Sequence, residues 1–287
     1  WQRLSSMLSF GVTTLEGKSG YGLDAVTEIK QLEVMAELNR KHVVEIVPTF
    51  MGAHAVPPEY KGRTEEYVQY LLDNVMPLVA QSKLAEFCDV FCEKGVFSVE
   101  QSRRLLKRAQ QLGMQAKVHA DEIVTLGGAE LAAEVGALSA EHLLHASDEG
   151  IHRMGAAGTI AVLLPATAFC LREPYARARV MIDAGVPVAL ATDFNPGSCF
   201  TESIPLVIAL AALYMQMTPA EIVTALTINA AAAVGRADRI GSLEVGKQAD
   251  FIVLKHPSHL YLPYHAAVNC VETVVKKGKI VHDTGLE

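Results

Sequence analysis

The sequence predicts an α/β fold: a (β/α)8 TIM barrel that lacks its first strand, followed by part of a small β-sandwich domain. Two observations favour it. Short apolar runs alternate with helical stretches, and the runs are almost continuously apolar, as strands covered on both faces are. Histidines and acidic residues follow several runs at the same end, which is where parallel α/β proteins carry their chemistry.

Seven apolar runs are predicted as strands, each followed by a helical stretch. They cover residues 11–15, 43–49, 89–92, 114–119, 137–142, 159–164 and 186–192. Helices are predicted over 24–40 and 64–80, the second bent at Pro77, and another starts at the capping box of Ser98. Four later strands follow a glycine that is typical of a helix end: Gly113, Gly136, Gly158 and Gly185. Seven such units in series favour a barrel over an open doubly wound sheet.

The pattern changes after Asp193. Helices over 202–215 and from 218 onward give way, after Gly241, to three short strands over 251–254, 271–275 and 279–281. The sequence therefore predicts a barrel domain over residues 1–240 and the C-terminal part of a composite β-sandwich over 241–287. Three strands make a poor sheet alone. Because the chain also begins at Trp1 rather than at Met, we expect an N-terminal segment to be missing.

Composition limits the classes of partner. The net charge of −7 lacks the basic surface that nucleic-acid binding needs, so we expect no nucleic-acid partner. No apolar run reaches about 18 residues, so we expect no membrane span. Five scattered cysteines, an odd number, suit reduced thiols in a cytoplasmic enzyme better than disulfides. A small-molecule substrate is the expected partner, and the residues leave the oligomeric state open, with a homodimer as one option.

The segment "KVHADE" carries the strongest chemical signal. His119 lies where a strand would end and Glu122 follows three residues later. Other polar residues share such positions: Glu16, Lys18, Tyr21, His54, Glu93, His142 and Asp193. A histidine from one strand and an aspartate from another can bind one divalent ion, zinc or iron. Such an ion makes bound water acidic enough to react near neutral pH, and Glu122 could move the proton.

Each residue also has a structural interpretation. A single strand-end histidine is more often a hydrogen-bonded structural residue, Glu122 could favour a helix N-terminus, and Asp193 could cap a helix or form a turn before Asn195. The remaining histidines lack strand-end positions and are interpreted as surface or packing residues: His145, His152, His256, His259 and His265. The glycines of "KSGYG" resemble a phosphate loop only weakly, and a loop that shapes a substrate pocket is preferred.

Taken together, these motifs resemble a known enzyme family. "GVTTLEGKSGYGL", "PTFMGAHAVPPEY", "CDVFCEKGVF", "KVHADE", "SAEHLLHASDEGI" and "ATDFNPGS", in this order, are similar to the imidazolonepropionases, which belong to the metal-dependent amidohydrolase superfamily. "GSLEVGKQADFIVL" resembles a C-terminal signature of the superfamily at large. The resemblance implies a barrel with a composite β-sandwich and hydrolysis of 4-imidazolone-5-propanoate, a cyclic amide, to N-formimidoyl-L-glutamate in histidine degradation.

The resemblance also implies roles for individual residues. His119 and Asp193 match metal ligands, and Glu122 and His142 match the pair beside the reactive water. Five positions match substrate contacts: Tyr21, His54, Asn195, Gly197 and Ser198. The family's other two metal ligands form a His-x-His motif, followed by a substrate-binding Arg, and this chain contains no such motif. Two alternatives stay open: another amidohydrolase, such as a ring aminohydrolase or deaminase, and a non-catalytic truncated barrel.

Overall fold

A parallel sheet of seven strands, hydrogen-bonded in the order of the sequence, forms the centre of the fold. The structure is a computed structural model that describes residues 1–285. The strands are β1 (Thr14–Lys18), β2 (Glu45–Ala53), β3 (Phe87–Cys92), β4 (Gln115–Ala120), β5 (Ser139–His142), β6 (Ile160–Leu163) and β7 (Val188–Leu190). A doubly wound sheet would reverse its strand order at a switch point, so this order confirms the predicted barrel type.

Helices connect the strands and follow the last of them. They are α1 (Gln2–Ser9), α2 (Ala25–Lys41), α3 (Thr64–Tyr70), α4 (Met76–Ser82), α5 (Val99–Gln111), α6 (Gly128–Glu134), α7 (Asp148–Ala157), α8 (Pro165–Leu171), α9 (Ala178–Asp183), α10 (Ile204–Tyr214), α11 (Pro219–Leu226), α12 (Ile228–Ala233) and α13 (Tyr261–Tyr264). A short 3-10 turn covers Pro58–Tyr60. Among residues 1–285, no helix has both the length and the apolar character needed to cross a bilayer.

Local sequence signals set most of these boundaries. The capping box predicted at Ser98 is formed, and Thr218 forms a second one, each with its side chain accepting from the third helical residue. The four predicted helix-end glycines all have positive φ, from 62° at Gly136 to 88° at Gly113, a conformation that other residues adopt only with strain. The capping boxes and the helix-end glycines explain why the alternation of strands and helices can be predicted from sequence.

The bounds of several elements differ from the prediction, including those of the first strand and of the helix predicted over 64–80. The first strand is Thr14–Lys18, three residues later than expected, so Glu16 lies within the strand and not after it. The helix predicted over 64–80 is divided by a π-helical turn at Leu71–Val75. Pro77 lies in the first turn of α4, where the backbone N–H that proline lacks would need no acceptor within the helix. The π-helical turn before Pro77 accommodates the interruption of the helical hydrogen bonds.

The last three strands form a separate antiparallel sheet, as predicted. They are β8 (Phe251–Leu254), β9 (Val271–Lys276) and β10 (Lys279–Asp283), in the order β10-β9-β8. Lys277 and Gly278, both with positive φ, make the two-residue turn between β9 and β10. The predicted sheet over 241–287 therefore exists within residues 251–283, while the boundary at residue 240 stays a prediction.

The chain forms two compact units. The central unit contains residues 16–41 and 46–161, and the terminal unit contains 1–15, 42–45 and 162–285. The core of the central unit includes the fully buried Val47, Val90 and Val118. The core of the terminal unit includes the fully buried Val207 and Val274. Each unit thus has an apolar interior of its own.

Candidate active site

His119 is held from behind by a buried aspartate. Its Nδ1 lies 2.9 Å from Asp89 Oδ2, and its backbone N–H donates to Asp89 Oδ1 at 3.0 Å. Both residues belong to paired strands of the central unit, β3 and β4, and Asp89 is fully buried. Burial lowers the pKa of His119, but the Asp89 charge outweighs it and raises the pKa overall. Because Asp89 engages Nδ1, Nε2 is the ring nitrogen left for an ion.

A cluster of buried charges lies around Asp89. We call it the Lys117 cluster, and it contains Glu16, Lys18, Asp89, Lys117 and Glu141. Lys18 Nζ lies 2.7 Å from Asp89 Oδ2 and 2.8 Å from Glu16 Oε1, and Lys117 Nζ lies 3.0 Å from Glu16 Oε2. Burial opposes the ionised form of Glu16, but the two lysines outweigh it and lower its pKa to about 2. Glu16 is therefore ionised at neutral pH.

Glu122 and His142 lie together beside His119. His142 Nδ1 is 3.5 Å from Glu122 Oε1, and the rings of His142 and His119 are 5.0 Å apart between centroids. Burial, and next the charge of His119, lower the pKa of His142 well below its usual value. His142 is therefore neutral at pH 7, with one nitrogen that donates and one that accepts. This pair was predicted from sequence, and the structure brings its members together.

The loop that carries Glu122 is fixed on both sides. Asp121, fully buried, accepts backbone N–H bonds from four residues at the start of α6, at 2.8 to 3.1 Å: Leu126, Gly127, Gly128 and Ala129. On the other side, the N–H of Ile123 donates to Glu93 Oε2 at 2.8 Å. Glu93 was predicted as a strand-end polar residue, and its role here is to hold this loop. The position of Glu122 is thus determined by its neighbours.

Several strand-end residues have strained backbone. Asp121, His142, Leu143 and Asp193 all have positive φ, between 50° and 70°. A left-handed conformation at a non-glycine residue costs about 1–2 kcal/mol, and such residues concentrate at functional sites. Aspartate and histidine adopt this conformation more often than most other non-glycine residues, but the sequence alone does not show which of them do so.

The glycine-rich loop holds an anion that belongs to the protein itself. The N–H groups of Gly20 and Gly22 donate to the Glu28 Oε1, at 3.1 and 2.7 Å, and Glu28 is fully buried. A Cβ at Gly22 would lie 2.6 Å from the Glu28 backbone nitrogen, so glycine is required there. The loop resembles a phosphate cradle because its N–H groups do converge, but Glu28 occupies the position of a phosphate.

Tyr21 and His54 lie together at this loop. Their ring centroids are 4.7 Å apart, and His54 also stacks on Phe91 at 5.8 Å. His54 Nδ1 is buried with no hydrogen-bond partner among residues 1–285. Burial, and next the charge of His119, lower the pKa of His54 to about 4, so the ring is neutral at pH 7. Tyr21 is half exposed, and this pair can present a neutral aromatic surface to a ligand.

In the terminal unit, Asp193 begins a tightly turned loop after β7. Its Oδ2 accepts from Thr167 Oγ1 at 2.7 Å, and its carbonyl accepts from the Asn195 side chain at 2.7 Å. Asn195 Oδ1 accepts the N–H groups of Gly197 and Ser198, both at 2.8 Å. The side chain that forms the turn is therefore that of Asn195 and not that of Asp193. Asp193 as a metal ligand, and Asn195, Gly197 and Ser198 as substrate contacts, remain predictions.

The chemistry of the donors fits a divalent ion at His119. A second arrangement exists, in which donor atoms of Asp89, His119 and Glu141 lie within 4.8 Å of one another. Lys18 Nζ, however, lies 2.7 Å from Asp89 Oδ2 and 3.7 Å from Glu141 Oε1, and its charge would repel an ion held by those oxygens. We therefore expect His119 Nε2 to be the ligand and Asp89 to orient the ring.

Sequence reasoning missed the residues behind the site. Asp89, Lys117 and Glu141 lie within strands and not after them, so the search for strand-end residues passed over them. One signal was available: each is a charged residue in an otherwise apolar strand, and a buried charge needs a partner. The segment "KVHADE" includes Asp121, but its sequence position predicted no role for this residue as an acceptor of backbone N–H groups.

Comparison with known proteins identifies the family. The amidohydrolase family model matches residues 93–281. An imidazolonepropionase from Clostridium tetani is 63% identical over 281 residues, covering 98% of this chain and 67% of the relative. One from Parabacteroides distasonis is 61% identical, covering 97% of this chain and 67% of the relative. The chain thus spans about two thirds of the length of these relatives.

Solved structures show the same fold at low sequence identity. An adenosine deaminase from Xanthomonas campestris with bound zinc is 21% identical with a TM-score of 0.71, covering 99% of this chain and 70% of that one. An atrazine chlorohydrolase from Arthrobacter aurescens in complex with zinc is 17% identical with a TM-score of 0.75, covering 98% and 70%. The fold, the family model and the relatives agree: the chain belongs to the imidazolonepropionase family of amidohydrolases.

Proposed function

We propose that this chain carries the catalytic residues of an imidazolonepropionase, which opens the cyclic amide of 4-imidazolone-5-propanoate with water to give N-formimidoyl-L-glutamate. The observation that carries the assignment of roles is the Glu122–His142 pair, 3.5 Å apart, in contact with a His119 that Asp89 orients. The level of identity to curated relatives supports the same reaction. The aminohydrolase alternative has support only at the level of fold.

We assign His119 and Asp193 as ligands of one divalent ion, zinc or iron. Imidazole nitrogen and carboxylate oxygen suit both metals. When bound, the ion would lower the pKa of a coordinated water to about 7. Two ligands hold an ion weakly, and the chain has no His-x-His motif, so we expect the chain by itself to have low metal affinity and low activity.

Glu122 and His142 divide the proton transfers between them. Glu122 is the only carboxylate of the pair, and as a base it takes the proton from the attacking water. It then returns that proton to the ring nitrogen as the amide C–N bond breaks. His142, neutral at pH 7, donates its N–H to the oxygen that becomes negative in the tetrahedral intermediate. His142 is buried and Glu122 is partly buried, which strengthens these interactions.

Five residues are proposed to contact the substrate: Tyr21, His54, Asn195, Gly197 and Ser198. Tyr21 and His54, in contact with each other, can cover the flat face of the imidazolone ring. Asn195, Gly197 and Ser198 belong to one turn, so these three proposed contacts lie together. A homodimer and a cytoplasmic location remain predictions from sequence.

Replacing Glu122 with Gln tests the proposal. The measurement is steady-state hydrolysis of 4-imidazolone-5-propanoate by a protein completed to the length of the relatives. We expect Glu122→Gln to lower kcat by ~10²-fold or more with little change in KM, because it removes a proton carrier and preserves the shape of the site. Exposed Glu33→Gln on α2 is the matched control and should leave kcat unchanged.

Two outcomes would contradict the proposal. Unchanged kcat in Glu122→Gln would show that another group moves the proton. Release of ammonia in proportion to substrate consumed would favour an aminohydrolase, since ring opening by water releases none. Metal analysis of the completed protein separates the enzyme from a non-catalytic barrel, because the latter would bind no equivalent of zinc or iron.

A further inference from the structure

A second group of metal-binding side chains lies far along the chain from the candidate active site. His256, His265 and Cys270 belong to the loop between β8 and β9, and their donor atoms all lie within 4.8 Å of one another. From sequence, both histidines were interpreted as surface or packing residues, because neither follows a barrel strand. We propose that these three residues form a zinc site with two imidazole ligands and one thiolate.

Backbone hydrogen bonds close the loop and fix its two ends. The N–H of Lys255 donates to the carbonyl of Cys270 at 2.9 Å. This bond brings the start of the loop, at His256, close to its end, at Cys270. The side chain of Asn269 accepts the N–H of Val271 at 3.0 Å and donates to the carbonyl of Ser9 at 2.8 Å. The first and third ligands are therefore held close by the fold itself.

The middle of the loop places His265 close to His256 and Cys270. The N–H of His265 donates to the carbonyl of Tyr261 at 2.8 Å, which ends the short helix α13. Ala267 then has a φ of 60°, a strained conformation for alanine that turns the chain back toward Cys270. The His256 ring stacks on Tyr261 with centroids 4.2 Å apart, which limits its rotation.

The distances and burial suit a borderline metal. Ligand atoms on a tetrahedral zinc ion lie about 3.4–3.7 Å apart, so the donors need to approach by roughly 1 Å. His265 is exposed and can make that movement, whereas Cys270 is buried and His256 half-buried. Two imidazoles and a thiolate favour zinc over the hard ions magnesium and calcium. Three protein ligands leave a fourth position for water.

A zinc ion bound by His256, His265 and Cys270 would link the two ends and the middle of the loop, which buries little apolar surface itself. The thiol proton of Cys270 passes to solvent as the sulfur becomes a ligand, so binding weakens at low pH. This site is separate from the proposed reaction: the candidate active site uses nitrogen and oxygen ligands, whereas this one requires sulfur.

Cobalt(II) is the probe that distinguishes the two sites. A thiolate ligand gives cobalt(II) a near-ultraviolet charge-transfer absorption that nitrogen and oxygen ligands do not give. We expect the purified chain to show this absorption, saturating at one equivalent of cobalt and reversed by zinc. Cys270→Ser should abolish it, and His265→Ala, at an exposed position where folding is not at risk, should weaken cobalt binding by at least ~10-fold.

Two matched variants serve as controls. Cys170→Ser removes an exposed cysteine outside the loop, and His259→Ala removes an exposed histidine of the same loop that is not in the group. Both should retain the absorption and the cobalt affinity. Absence of the absorption in the unmodified chain would overturn the proposal, as would an absorption that survives Cys270→Ser or is insensitive to His265→Ala. In that case His256, Tyr261 and His265 form only an aromatic packing group.

Discussion

Two buried lysines, one in each compact unit, have different charge environments. Lys117 of the central unit belongs to a cluster of three carboxylates and two ammonium groups, which has one surplus negative charge when fully ionised. Lys276 of the terminal unit lies 2.8 Å from Asp250 Oδ2 and 3.9 Å from Glu45 Oε2. Glu45 also faces Arg236 and Arg239, so the Lys276 cluster, made of these five residues, has a surplus positive charge.

The difference indicates what each cluster does. The surplus positive charge of the Lys276 cluster would repel a cation, so its effect is on stability. In the Lys117 cluster burial raises the pKa of Glu141, and Asp89 adds to the rise against the opposing charge of Lys18. The surplus negative charge favours a cation at His119, through the contact with Asp89. A buried charge cluster thus favours a cation when its surplus charge is negative, not when it is positive.

The largest expected effect comes from removing Lys117. Lys117→Met leaves three carboxylates against one ammonium, and we expect the free energy of unfolding to fall by ~3–5 kcal/mol. Lys276→Met leaves a neutral cluster, and Asp250 keeps donors from Lys277 and Gln248, so a loss of ~1–3 kcal/mol is expected. Urea denaturation measures both, with exposed Lys107→Met as the control near zero.

The double variant Lys117→Met with Glu16→Gln sharpens this comparison. It removes one charge of each sign, so it should recover part of the stability lost in Lys117→Met alone. Equal losses for Lys117→Met and Lys276→Met would contradict the assigned difference between the clusters.

A second, smaller effect concerns metal affinity at His119. Asp89→Asn keeps an oxygen that can accept the backbone N–H of His119 but removes the charge beside Nδ1 that orients the ring, so zinc affinity should fall ~10–100-fold. Competition with a chromogenic chelator, in the protein completed to the length of its relatives, measures the change. Exposed Asp238→Asn is the control. Unchanged affinity would remove Asp89 from the site, and complete loss of binding would make it a direct ligand.

The smallest effect is expected at an ion pair near the surface, which provides the reference for both clusters. Arg179 donates to Glu221 at 2.9 and 3.0 Å, and this bond is the main reason that the pKa of Glu221 is lowered to about 2. Glu221→Gln keeps one oxygen for the capping bond to Thr218, but it loses the charge and one of the two bonds from Arg179. Because both side chains are about 30% exposed, we expect a loss of only ~0.5–1 kcal/mol.

The pH dependence of this effect has a defined sign. Since the pKa of Glu221 is lower in the folded state, its contribution is present above pH ~4.5 and disappears as the pH falls toward 2. Urea denaturation of both proteins at pH 7 and pH 3 should show the difference shrinking. A difference that grows at pH 3 would contradict the assignment.

The sequence predicts the barrel type and much of the site because local signals mark both. Gly136 and Ser98 end and begin helices by rules that need only neighbouring residues, and Glu122 lies three residues after His119 in one loop. The family resemblance assigned the roles. Asp89 and Glu141 could not be assigned in the same way, because their partners come from other strands and their spacing has no pattern. The strained backbone at His142 is likewise set by tertiary packing.

The carboxylate of Glu28, enclosed by the amides around Gly22, has a consequence for the kind of anion that this loop can bind. A dianionic phosphoryl group would compete with a resident charge that is tethered to α2 and therefore always present at high local concentration. A phosphoryl group would therefore have to displace Glu28 before the N–H groups of Gly20 and Gly22 could bind it.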